Sequence, residues 1–181
     1  MSNNKKIYYN LINEYYAKKY LELFKNYKFK NKKFDFIYHT NGTHKKEDIM
    51  NDLLPHLFSI LDNLLKYNKI SDIKKKISTN KNIIKFYADR CLCNVEFVQN
   101  SNIKRLKFGL DDYMVERESF EINEKVKTFL KCNKNKKKIK VNNPLTEKVK
   151  KIILYNKKYN KKLEYEKITN NVEKCCDIFY A

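Results

Sequence analysis

The densest run of chemically capable side chains is His39-Thr40-Asn41-Gly42-Thr43-His44, with two imidazoles and two hydroxyls in six residues. Histidine is the usual general acid or base near neutral pH. The run follows the alternating aromatics of Phe34–His39 and precedes a helical pattern. Backbone N–H groups at such a strand-to-helix turn can face a phosphate. His39, Asn41, Thr43 and His44 are therefore the candidate residues of a small enzyme acting on a phosphorylated or nucleotide substrate. Against this, the run holds one glycine where a phosphate loop needs several, and no Gly-Lys-Ser/Thr follows. A polar strand-to-helix turn explains the same residues.

The other reactive types are more dispersed. Five cysteines, Cys91, Cys93, Cys132, Cys175 and Cys176, are odd in number and irregular in spacing, so no disulfide framework is expected. Cys91-Leu92-Cys93 and Cys175-Cys176 lack the paired Cys-x2-4-Cys spacing of a structural zinc site. On a strand, Cys91 and Cys93 share a face and suit a core equally well. Asp89, Glu96, Asp111 and Asp112, with Lys104 or Lys107, could converge on a metal as in a phosphodiesterase, but their spacing does not demand it. No nucleophile elbow, kinase set or dinucleotide fingerprint occurs. No cofactor and no metal are expected.

Charge gives the stronger pointer. Thirteen lysines and one acid lie between Lys131 and Lys162, which carries +12 of the formal +19. Localised charge of one sign points at an anionic partner. The basic residues are 37 Lys and 3 Arg. Lysine holds phosphate as a point charge and is poorly equipped to read bases, for which arginine is better suited. The abundance of Lys, Asn, Ile, Tyr and Phe also fits the codons of an AT-rich genome, a viral one included, so part of the lysine excess needs no function.

These residues need elements to position them. Residues 4–27 carry an amphipathic helical stripe through Ile7, Leu11, Tyr15 and Leu23, and 28–33 form a linker. Phe34–His39 predicts a short strand. Residues 45–67 predict the most apolar helix, interrupted at Pro55, where it either kinks or restarts from a cap at Asn51 or Asp52. A short helix is expected over 71–77. Strands are expected over 83–87, 91–98 and 103–110, the last two joined as a hairpin by Gln99–Asn102. A helix is expected over 123–132, with Val126, Phe129 and Leu130 inward, then a short edge strand at Ile139–Val141.

Pro144 and Thr146 open a long helix to about Ile168. At 100° per residue, Leu145, Val149, Ile152, Ile153, Tyr159 and Leu163 share one face. Lys150, Lys151, Lys157, Lys158, Lys161 and Lys162 share the opposite one. No run of about 18 apolar residues occurs, so no transmembrane segment is expected. Met1–Ile12 lacks a signal-peptide core, which predicts an intracellular, cytoplasmic protein.

The expected fold is α+β: a helical N-terminal part, a small antiparallel sheet over about 83–110, and a long C-terminal amphipathic helix. Residues 1–168 form one domain and 169–181 a tail. The leading expectation is a non-enzymatic, sequence-nonspecific nucleic-acid-binding protein. Its phosphate contacts would be Lys134, Lys136, Lys137, Lys138, Lys140, Lys150, Lys151, Lys157, Lys158, Lys161 and Lys162, on DNA or RNA. The alternatives are the enzyme at the 39–44 turn and a protein-interaction module, for which an acidic protein partner would fit. The sequence leaves the oligomeric state open.

Overall fold

The computed structural model describes residues 13–41, 48–122, 125–143, 146–147, 150, 170–171 and 174–179. Alternation builds most of it. In β1 (Lys33–His39) Phe34 and Phe36 are buried, while Asp35 and Ile37 are half-buried. In β3 (Lys81–Ala88) and β4 (Cys91–Val98) every second residue is buried, including Ile84, Phe86, Cys93, Val95 and Phe97. With β2 (Ile70–Ile77), β5 (Arg105–Leu110), β6 (Tyr113–Ile122), β7 (Lys125–Cys132) and β8 (Lys138–Val141) they make one eight-stranded sheet. The strand order is β2-β3-β4-β1-β5-β6-β7-β8. β1 runs parallel to β4 and antiparallel to β5, and all other neighbours are antiparallel.

Two helices cover one face of this sheet. α1 (Glu14–Leu23) contributes Tyr16, Ala17 and Tyr20 to the core. α2 (Asp48–Leu64) contributes Leu53, Leu54, Leu57, Phe58, Ile60 and Leu61. Tyr20 packs on Phe108 of β5 and Phe58 on Phe86 of β3, with ring centroids 5.6 and 6.3 Å apart. Burying such aromatics stabilises by roughly 1.5–3 kcal/mol each, so the helix-to-sheet seam supplies most of the core. α2 runs continuously through Pro55, and the restart at residues 51–52 is not used. The proline leaves one carbonyl of the preceding turn without its helical donor.

The structure corrects several expectations. The sheet is neither small nor purely antiparallel; it runs from residue 33 to residue 141 and forms the body of the molecule. β4 and β5 do not form a hairpin, because β1 lies between them. The 99–104 connection crosses the end of β1, where Thr40 N–H donates to the Val98 carbonyl and Ser101 N–H to that of Thr40, at 2.9 and 3.0 Å. Residues 71–77 belong to strand β2 rather than a helix. Residues 125–132 are strand β7, and the acidic stretch before them is strand β6. Val126, Thr128, Leu130 and Cys132 alternate, and ladder bonds to β6 settle a pattern that also fits helical spacing. The long C-terminal helix is not part of the described architecture: of residues 144–168 only 146, 147 and 150 are described, each helical. The part of the N-terminal helix before residue 13 also lies outside the described residues.

Two aspartates fasten the connections. Asp111, in the β5–β6 turn, accepts from the N–H groups of Lys30, Lys32 and Lys33 at 2.9, 3.0 and 3.3 Å. Asp89, in the β3–β4 turn, accepts from those of Asn68 and Lys69. Both adopt left-handed φ values, 52° and 51°, where aspartate is among the better tolerated non-glycine residues. Tyr20 ties α1 to the same β5–β6 turn. Its hydroxyl donates to the Tyr113 carbonyl and accepts from Leu110 N–H, each at 3.0 Å. Burial pushes the Tyr20 phenol far above its usual value. The tail is anchored too: Phe179 is buried between Phe58 and Phe86, and Lys75 of β2 donates to its carbonyl.

Candidate nucleic-acid interface

Because strand side chains alternate, burying one face of the sheet under helices sends the other residues to the opposite face. Among the described residues no helix covers that second face. Register places its members: Lys107 faces Glu116 across β5 and β6, Glu116 faces Lys131 across β6 and β7, and Lys131 faces Lys138 across β7 and β8. One step along lie Glu118, Phe129 and Lys140, then Phe120 and Lys127. The face is thus a lattice of cations, carboxylates and two phenyl rings.

Ion pairs organise it. Glu118 takes Lys131 at 2.9 Å and Lys138 at 3.3 Å. Those two ammonium groups, Lys131 foremost, hold the Glu118 carboxyl below its usual range. Arg105 grips Glu116 through two bonds, Nε to Oε1 at 2.8 Å and a terminal nitrogen to Oε2 at 3.1 Å. Lys138 also lies over the rings of Phe129 and Phe120, 4.3 and 4.8 Å from their centroids. The two rings are 6.5 Å apart, and Phe120 is 47% exposed. Lys134, Lys136 and Lys137, all exposed, follow on the loop between β7 and β8. Lys134 stands over the Tyr113 ring at 4.8 Å and 3.6 Å from the exposed Asp112.

The expected lysines therefore divide. Lys134, Lys136, Lys137, Lys138 and Lys140 lie together at the β7–β8 edge, on strand and loop. Lys150 is described and exposed, and pairs with Glu147 at 3.1 Å. Lys151, Lys157, Lys158, Lys161 and Lys162 lie outside the described residues. Phe120, Phe129, Lys127 and Lys131 were absent from the candidate set. The alternation in Lys125–Cys132 is the signal that places Lys127, Phe129 and Lys131 on one face once the segment is read as a strand.

The alternative turn is only partly described. His39 ends β1 with its Nε2 3.0 Å from Glu96 Oε1, and Lys81 holds the other oxygen at 2.7 Å. Burial alone would raise the Glu96 carboxyl; bonds from Lys81 and His39 outweigh it and hold the group below its usual range. Asn41 is exposed just beyond β1, while Thr43 and His44 lie outside the described residues. A 330 Å³ hollow nearby is lined by Asp35, Ile37, Asn94, Glu96, Lys107 and Met114, with His39 outside that lining.

The acids that might have converged on a metal are occupied separately. Asp89 and Asp111 hold backbone amides, Glu96 holds His39 and Lys81, and Asp112 faces Lys134. Among the described residues no group of three or more His, Cys, Asp or Glu is arranged to hold a metal ion. Cys91 and Cys93 are buried, with Cys93 Sγ 3.6 Å from the Cys91 carbonyl. No helix of the described residues is long and apolar enough to cross a membrane.

No protein-family model matches the chain, and no curated protein matches it. Among solved structures, a dehydrogenase (MviM) from Clostridium difficile is similar, at 12% identity and a TM-score of 0.53. The likeness covers 92% of this chain and 60% of that one. At that identity it speaks to the fold alone, and the chain spans about 60% of the similar dehydrogenase's length.

Proposed function

We propose that this chain binds single-stranded nucleic acid through its phosphate backbone, without reading sequence, at the β6–β7–β8 end of the uncovered sheet face. The observation that carries this reading is the placing of Phe120 and Phe129 on one face beside Lys131 and Lys138, with the Lys134–Lys140 segment at its edge. Flat rings accept an unpaired base of any identity, and lysines beside them neutralise the phosphates on either side. Glu118 does not cancel the charge beside the rings, since one carboxylate is shared by two ammonium groups. The near absence of arginine from this patch suits contact with backbone rather than with base edges.

Fluorescence anisotropy with labelled homopolymeric single strands, titrated with salt, tests the reading. The expected log–log slope is about −0.7 per phosphate contacted, with four or so contacts. Replacing Lys134, Lys136, Lys137 and Lys138 together by alanine should weaken every sequence alike and flatten that slope. Phe120→Ala should weaken binding by roughly 1–3 kcal/mol without changing the slope. Unchanged binding in the lysine variant would remove the reading.

A further inference from the structure

The linker between α1 and β1 holds a pattern that the uncovered face does not explain. Residues 25–33 read Lys-Asn-Tyr-Lys-Phe-Lys-Asn-Lys-Lys, two aromatic rings set among five lysines. Both rings pack on Tyr113 at the start of β6, with centroids 4.5 Å away for Tyr27 and 5.8 Å for Phe29. Tyr27 and Phe29 are 6.5 Å apart, their planes 29° from parallel. Buried Phe24 backs all three rings. Phe29 and Tyr113 are half-buried in this cluster, while Tyr27 stays 40% exposed.

The cluster is held in place by the backbone. Asp111 accepts from the N–H groups of Lys30, Lys32 and Lys33, and Tyr27 N–H donates to the Phe24 carbonyl at 2.8 Å. A ring fixed in this way needs little further ordering to receive a ligand. Its surroundings are cationic. Lys25, Lys28, Lys30 and Lys32 are exposed, and among the described residues no carboxylate pairs with them. Lys134 stands over Tyr113 at 4.8 Å. Its loop lies against the β5–β6 turn, where Asn133 N–H donates to the Met114 carbonyl at 3.2 Å. Lys134 thus joins the cluster to the patch on the uncovered face. From Phe129 to the end of β7 is three residues, roughly 10 Å of strand, and Lys134 follows two residues later.

We propose that Tyr27 is a second stacking platform for the same single strand, which passes from Phe120 and Phe129 along the β7–β8 loop to the α1–β1 linker. The proposal rests on the nucleic-acid reading and extends its footprint. Lys134, Lys136 and Lys137 neutralise phosphates between the two platforms, and Lys28 and Lys30 those beside Tyr27. An aromatic face takes any base. The second platform therefore adds affinity and occupied strand length without adding sequence preference.

Fluorescence anisotropy of the full chain with labelled oligothymidylate of about twelve nucleotides tests the proposal. Tyr27→Ala and Phe120→Ala should each weaken binding about fivefold or more, with the salt slope unchanged. Tyr27→Phe, which keeps the ring, should recover most of the loss. Lys28→Ala with Lys30→Ala, both at exposed positions, should flatten the log–log slope by about 1.4, the value for two phosphates. That variant also carries the test should Tyr27→Ala fail to fold. If Phe120→Ala weakens binding while Tyr27→Ala and the Lys28, Lys30 variant match wild type, the strand stays on the uncovered face and this proposal alone is overturned. Tyr27→Phe behaving like Tyr27→Ala would overturn it as well, since stacking needs only the ring. No binding by wild type would overturn both this proposal and the reading it rests on.

Discussion

Single residues at the β5–β6 turn show how little freedom this chain leaves its backbone. A Cβ on Gly109 would sit 2.2 Å from the Tyr113 carbonyl oxygen. Only a residue without a side chain allows β5 and β6 to approach there, and the obstacle is backbone that cannot swing aside. Gly109→Ala should destabilise by about 1–3 kcal/mol, the usual cost of forcing extra atoms into packed structure, read as a lower urea midpoint. Glutamates on the uncovered face act through charge. Glu96 and Glu118 both titrate below their usual range in the folded chain. Their pairs therefore stabilise the fold above the ordinary glutamate value, about pH 4.3, and the stabilisation is lost as pH falls through the lower folded value. Glu96→Gln with Glu118→Gln should flatten the acid side of the stability profile below about pH 5, measured as denaturation midpoints. At neutral pH the change should stay under about 1 kcal/mol per pair, since both carboxylates are solvent-screened.

At the scale of elements, the C-terminal turn is the informative piece. Sequence reading left residues 169–181 as a tail, yet Phe179 fills a slot between Phe58 of α2 and Phe86 of β3. Cys175 bonds Tyr67, with Sγ and hydroxyl 3.3 Å apart, and burial raises both the Tyr67 phenol and the Cys175 thiol. Phe179→Ala should cost about 3–5 kcal/mol if the slot stays open; calorimetric unfolding would show a clear drop in Tm. What the sequence disclosed follows from the range of each signal. Phe34–His39, α2, β3 and β4 carry dense apolar patterns of a single period and were legible. The expected edge strand Ile139–Val141 falls within β8. β2 was not legible, because Ile70, Ile73 and Ile77 mimic helical spacing while its lysines favour neither structure. β7 was misread for the same reason at Val126, Phe129 and Leu130. The place of β1 between β4 and β5 rests on pairing between residues far apart in sequence, and the turn at 99–102 cannot report what lies across it. Phe120 and Phe129 went unnoticed because their shared face exists only once β6 and β7 pair.

For the whole molecule, the two ends of the sheet have a common character. Among the described residues β2 and β8 are the outermost strands. β2 bears Lys74, Lys75 and Lys76, and β8 bears Lys138 and Lys140. An outermost strand offers unpaired amides and carbonyls to any other strand, and lysine is a common guard against that. Two copies brought edge to edge would set ammonium groups against one another at either end. Among the described residues, the lysines of β2 and β8 therefore suit a use that needs no ligand: like charges along both outermost strands disfavour the addition of a further sheet. Neutralising Lys138 and its neighbours would lift that repulsion along β8, so the same alanine variant should self-associate as its net charge falls.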